Sequence, residues 1–353
     1  MRIRGSSLLL LLLLFLLAGC GGSALPAVAI EHNRAGAEHL RANRLDQAEA
    51  RFRLALEYRS RFAEPHANLG LVAYMRGRLR QAEEHLRTAI SLNEDFASAW
   101  ANLGVVLEQE NRNSEARDAY EHALRIDPAE AGARRNLAFL LARADLFVEA
   151  RAHLMRLVEI DPTDFETNGV LAWCDLRMHR AEAAGARAEE ILVQSPEAAT
   201  ALLVRGSASA MRGDLDGAYD DLVRAAHRSV LAREATRRLA AIELLRGHVV
   251  EAESLVRELL GDDEQDAAAH LVAASIALVD NRLSMAREHA TSALMIRPTL
   301  DEAHLILAEV AARMGHEREL DHQLEQVADS RYATDKARIR AMSPPSRSDA
   351  QMW

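Results

Sequence analysis

Three groups of residues in this sequence have a type and spacing that could do chemistry. Asn68, Asn102 and Asn136 recur every 34 residues in the strings Asn-Leu-Gly, Asn-Leu-Gly and Asn-Leu-Ala. Each amide offers a donor and an acceptor, so a row of them matches successive peptide groups without reading side chains. Cys20 follows Leu17-Ala18-Gly19 at the end of an apolar run, residues 8–17, that Arg2 and Arg4 precede. A basic start, a short apolar core and small residues before a cut site read as a secretory signal peptide, and the run falls well short of the ~20 residues a membrane span needs. The third group is the histidines, fourteen of them, which raise the question of a metal site. No His-Glu-x-x-His, no i,i+4 histidine pair and no clustered cysteines are present, so the usual zinc arrangements are missing and no metal is expected.

Other catalytic signals are equally sparse. The doublets Asp220-Asp221 and Asp262-Asp263 read as solvated carboxylates, because paired carboxylates do acid-base work only when desolvated. There is no phosphate-cradling glycine loop and no nucleophile elbow, so no catalytic residue, cofactor or small-molecule substrate is expected. The net charge of −10, carried almost entirely by Asp, Glu and Arg with Lys336 the single lysine, argues against nucleic acid, which calls for a basic stripe.

The elements that position these residues follow from one period. Ala48, Ala82, Ala116, Ala150, Ala184, Ala218, Ala252 and Ala286 are 34 residues apart, the period of a two-helix unit that buries its apolar face by stacking on copies of itself. Twelve residues before each lies a second small residue: Gly36, Gly70, Gly104, Ala138, Ala172, Gly206, Ala240 and Ala274. Small residues on both helices let the two backbones approach closely. Ala, Leu, Arg and Glu dominate and no strand-like alternation occurs, so the body is all-α. His32, His66, His270 and His304 share one position of the period with Trp100, and Cys174 shares another with Val72, Val106 and Ile242. The period thus assigns these residues to packing.

The sequence resembles the tetratricopeptide repeat family. The third unit carries the pattern most fully, with Trp100, Leu103, Gly104, Ala116, Tyr120, Ala123 and Pro128, and Pro128, Pro162, Pro196 and Pro298 fall at one repeat position. The resemblance implies a right-handed α-solenoid of about nine repeats: 29–62, 63–96, 97–130, 131–164, 165–198, 199–232, 233–266, 267–300 and a degenerate cap, 301–334, with Leu320 in the alanine column. Residues 335–353 are expected to hold one short helix at most and otherwise to be a disordered tail.

In this family the position of Asn68, Asn102 and Asn136 faces a concave groove that holds extended peptides. The same resemblance places Leu71, Tyr74, Met75, Val105, Glu108, Gln109, Arg135, Phe139 and Arg143 beside them, with Arg135 and Arg143 suited to a ligand carboxylate. Val170 and Val204 end the ladder. Leu17-Ala18-Gly19-Cys20 looks like the lipobox of bacterial lipoproteins, which implies residues 1–19 as signal peptide, a covalent lipid on Cys20 and a tether, 20–28, without other cofactors. Gly21, where aspartate would resemble an inner-membrane retention signal, points to the periplasmic face of the outer membrane. The expected function is a membrane-anchored, non-catalytic scaffold that binds an extended segment of a periplasmic or outer-membrane protein, as in pilotins, tight-adherence pilus lipoproteins and periplasmic adaptors. The alternative is a regulatory or substrate-recruiting subunit of an envelope glycosyltransferase, murein hydrolase or protease complex.

Overall fold

A computed structural model describes residues 25–227 and 231–342. Cys20 and the signal-peptide residues lie outside the described residues, as does the end of the chain from 343. Among the described residues the chain forms nineteen α-helices and no strand. They come in antiparallel pairs, and the second helices start at Leu45, Leu79, Asn113, Phe147, Ala181, Leu215, Val249, Leu283 and Glu317, 34 residues apart throughout. The chain divides into two compact bodies, 1–153 and 154–353. Within each, a first helix packs on its own second helix and on the first helix of the next repeat, as Ala63–Met75 does on Ala97–Gln109 and Ala199–Met211 on Ala232–Leu245. This is the stacking of an α-solenoid.

The alanine column is the seam of each pair: all eight alanines are fully buried. The facing small column is tuned to what lies opposite it. A Cβ on Gly36 would sit 2.5 Å from the Phe52 ring, and one on Gly104 would sit 2.5 Å from the Tyr120 ring. In repeats five and eight the corresponding partners are Ala172 with Ala188 and Ala274 with Ala290, all buried. In these four repeats the rings face glycine and the small residues face alanine, which keeps the interior close-packed; aliphatic side chains face either, as Leu86 faces Gly70 and Leu154 stands at the position opposite Ala138.

Two further columns make the turns. The link inside each pair contains one residue in the left-handed region, at the same repeat position in all nine repeats: Asn43, Gly77, Asn111, Asp145, His179, Gly213, Gly247, Asn281 and Gly315, with φ between 54° and 87°. Glycine and asparagine tolerate this conformation best. The link between repeats is held by the position that His66, Trp100, Asn168 and His270 occupy. Each side-chain nitrogen bonds the carbonyl six residues earlier: Ser60 at 3.3 Å, Glu94 at 3.0 Å, Pro162 at 2.9 Å and Glu264 at 3.1 Å. Arg134 does the same with Pro128. His66 and His270 thus have a specific task, which is to fasten the inter-repeat turn.

Three expectations are corrected or refined. Asp221 is buried rather than solvated, and Arg205 grips it through Nε and Nη2 at 2.7 and 2.8 Å. Leu320 in the alanine column is buried together with Leu324 and Ile339. Ile339 belongs to a helix, Ala333–Ala341, so the first part of the expected tail is folded against the ninth repeat.

Candidate functional site

The groove residues proposed from sequence all lie on first helices of the first body. Asn68, Leu71, Tyr74 and Met75 are on Ala63–Met75, Asn102, Val105, Glu108 and Gln109 on Ala97–Gln109, and Arg135, Asn136, Phe139 and Arg143 on Ala131–Arg143. They form in spite of weak propensity for asparagine, because each helix buries the stripe on its other side, for example Ala99, Leu103, Val106 and Leu107. Asn68, Asn102 and Asn136 are half-buried, while Met75, Gln109 and Arg143 stand exposed at the helix ends. Leu71, Tyr74, Asn102 and Val105 line one narrow crevice of about 30 Å³ between repeats two and three. The structure therefore brings the second rung of the ladder together with apolar side chains of the preceding repeat.

The three amides are not equivalent. Asn68 Nδ2 donates to Asn33 Oδ1 at 3.0 Å, so the ladder begins one repeat earlier than the 34-residue spacing suggests. Asn33 lies 35 residues before Asn68, one step out of register, and a search along the column passes over it. Asn102 and Asn136 make no side-chain hydrogen bond among the described residues, which leaves both amides able to meet a peptide group.

Glu108 organises the rest of the groove. Tyr120 reaches through from the second helix and donates its phenol to Glu108 Oε2 at 3.1 Å. Burial, and then the adjacent Glu108 carboxylate, push the Tyr120 phenol far above its ordinary value, so it stays a donor. From the next repeat Arg143 pairs with Glu108 Oε1. Arg143 thus already has a carboxylate partner. Arg135 is half-buried on the neighbouring turn. Among the described residues no group of three or more His, Cys, Asp or Glu is placed to hold a metal, and no helix is long and apolar enough to cross a membrane.

The fold defines a class: stacked helix pairs in which each first helix buries one face and exposes the other. Over residues 68–230 the pairs match the tetratricopeptide repeat. Residues 68–131 and 171–230 match one tetratricopeptide repeat family profile and 107–174 match a second. Among solved structures the chain is similar to a tetratricopeptide repeat protein of Parabacteroides merdae, with 16% identity and a TM-score of 0.58 over 74% of this chain and 98% of that one. It is similar in fold to human IFIT1 in its dimer with m7Gppp-AAAA, with 15% identity and a TM-score of 0.55 over 80% of this chain and 71% of that one. YrrB, described as a tetratricopeptide repeat protein with an unusual peptide-binding site, is 24% identical over 49% of this chain and 90% of its own, with a TM-score of 0.47. No curated protein sequence matches the chain.

Proposed function

We propose that this chain is a non-catalytic scaffold that holds an extended segment of a partner protein across repeats two to four, anchored through a lipid on Cys20 to the bacterial envelope, at the periplasmic face of the outer membrane. Tetratricopeptide repeats serve in protein–protein recognition, and the observation that carries the reading here is the pair Asn102 and Asn136. Among the described residues these two successive amides have no hydrogen-bond partner, and Asn102 lines an apolar crevice. A segment lying along them gains main-chain hydrogen bonds from the amides and apolar contact from Leu71, Val105 and Phe139. The envelope part of the proposal is supported by the string Leu17-Ala18-Gly19-Cys20 after its apolar run.

The test starts from a pull-down with the mature chain, with the bound segment identified by mass spectrometry. Asn102→Ala is expected to weaken that segment about 2- to 10-fold, since one net hydrogen bond is worth roughly 0.5–1.5 kcal/mol, while the melting temperature moves by no more than about 1 °C. A large loss of stability with unchanged affinity would make the ladder structural and sink the groove reading. Cys20→Ser is expected to abolish palmitate labelling and release the chain from the membrane fraction. Persistent labelling would refute lipidation at this residue.

A further inference from the structure

Fastening the inter-repeat turn occupies only one nitrogen of His66 and of His270. The bond from Nε2 to the Ser60 or Glu264 carbonyl keeps the proton there and leaves Nδ1 with a lone pair. Facing that lone pair from the second helix is a side chain that differs between repeats. It is Arg51 opposite His32 and Gln323 opposite His304, at 3.3 and 2.7 Å from Nδ1. In repeats two and eight it is a second histidine, His85 opposite His66 and His289 opposite His270. Arginine and glutamine show that the contact does not call for imidazole. A second imidazole adds a capacity they lack, which is to turn a nitrogen lone pair toward the first. The members of each pair stand on different helices, 19 residues apart in repeat eight, so the i,i+4 spacing of a single helix does not reveal them.

The Nδ1 atoms of His270 and His289 are 3.1 Å apart. Two imidazoles in neighbouring positions on one zinc or copper ion, each roughly 2.0–2.1 Å from it, place their nitrogens about 3 Å apart. His270 is already oriented as metal-bound histidines are, with its other ring nitrogen on a backbone carbonyl. His289 makes no other hydrogen bond among the described residues, so its proton can pass from Nδ1 to Nε2 and break only the contact that an ion replaces. The two repeats differ in the room beside the pair. His85 lines a space of about 10 Å³ with Leu69 and Val72, which holds about one water at most. Repeat eight has Ala273 where repeat two has Leu69, both buried, and His289 stands on a cleft of about 490 Å³. Waters that complete a coordination sphere fit in the second space and not in the first. The charged groups on that cleft are Glu253, Arg257, Glu264 and Arg282, two of each sign, and Arg282 is held by Glu253 and Asp280. The lining thus carries no excess positive charge to repel a cation.

We propose that His270 and His289 form a two-imidazole site for a divalent transition-metal ion of the zinc and copper class, with water in the remaining positions, separate from the asparagine groove. Imidazole suits these ions, whereas magnesium calls for oxygen donors. The probe is zinc chloride, titrated calorimetrically at neutral pH into the purified full chain. His289→Gln is the principal variant, because repeat nine already carries Gln323 opposite its histidine and the turn-fastening His270 is left in place. It is expected to weaken zinc at least about 10-fold, with a metal-free melting temperature close to that of the wild type. His85→Gln removes the equivalent ring of repeat two, where the space is too small, and is expected to leave zinc affinity within about 3-fold of wild type. Excess magnesium is expected to leave zinc bound. Affinity in His289→Gln within about 3-fold of wild type would overturn the proposal, as would an equal loss in His85→Gln. Displacement of zinc by magnesium would mean that carboxylates and not imidazoles hold the ion, and would overturn it as well.

Discussion

His270 gives Nε2–H to the Glu264 carbonyl, which leaves Nδ1 as an acceptor for the Nδ1–H of His289, 3.1 Å away. The contact between the rings needs one Nδ1 to donate and the other to accept, so it is lost when both rings carry a proton on Nδ1. His66 and His85 stand at the same two positions of repeat two, ring centroids 5.8 Å apart, with His66 Nε2 on the Ser60 carbonyl. Burial, and then the facing histidine, depress the pKa of His85 and of His289; burial depresses His66 despite its backbone bond. The unfolded chain therefore takes up protons near the ordinary value of about 6.5 that the folded chain refuses. The contribution is fully present above that pH and is lost as pH falls below it. We expect the melting temperature to drop between pH 7 and pH 5, and the drop to flatten in a His85→Gln, His289→Gln double variant. Repeat nine already uses this solution, with His304 Nδ1 2.7 Å from Gln323 Oε1. An unchanged slope in the double variant would place the sensitivity elsewhere. A second prediction concerns Gly104: alanine there meets the Tyr120 ring at 2.5 Å, and calorimetry should show a loss of about 1–3 kcal/mol from overpacking.

The turn column gives a matched pair of substitutions at the scale of the element. Gly77 lies at φ +72° with open space around its Cα, so the conformation alone decides what it accepts. Gly77→Val should cost about 1–2 kcal/mol, while Gly77→Asn, the residue of Asn43, Asn111 and Asn281, should be within about 0.5 kcal/mol in denaturant unfolding. Equal costs would mean that a contact, and not φ, constrains the turn. The helices themselves were legible because a 34-residue period fixes which faces are buried, and the alanine column proved fully buried in all eight repeats. The candidate site was legible only in part. Asn33 escaped because it is one residue out of register, and the link from Tyr120 through Glu108 to Arg143 joins three different helices at offsets no single column contains. Asp221 was misjudged for a similar reason: its partner Arg205 sits where most repeats have leucine, and a doublet read alone does not reveal that substitution.

In a stack where each pair touches only its neighbours, stability is a sum of local terms, so damage at an end should stay at that end. Ile339 is buried against Ala308, Ala311, Leu320 and Leu324 and seals the ninth repeat. Ile339→Ala should cost about 2–5 kcal/mol, and hydrogen exchange should accelerate over residues 301–341 while repeats five and six keep their protection. Uniform acceleration across the second body would indicate a single cooperative unit instead. The pairing of Gly36 with Phe52 and Gly104 with Tyr120, against Ala172 with Ala188, bears on how such a chain can be rearranged. In these repeats the two halves are fitted to each other in volume, so a lone helix moved between a ring-bearing repeat and repeat five brings either a collision or a void. A complete pair carries its own fit along. Recombination by whole 34-residue cassettes is therefore the tolerated route to a longer, shorter or reordered array, and half-cassette chimeras should be the ones that fail to fold.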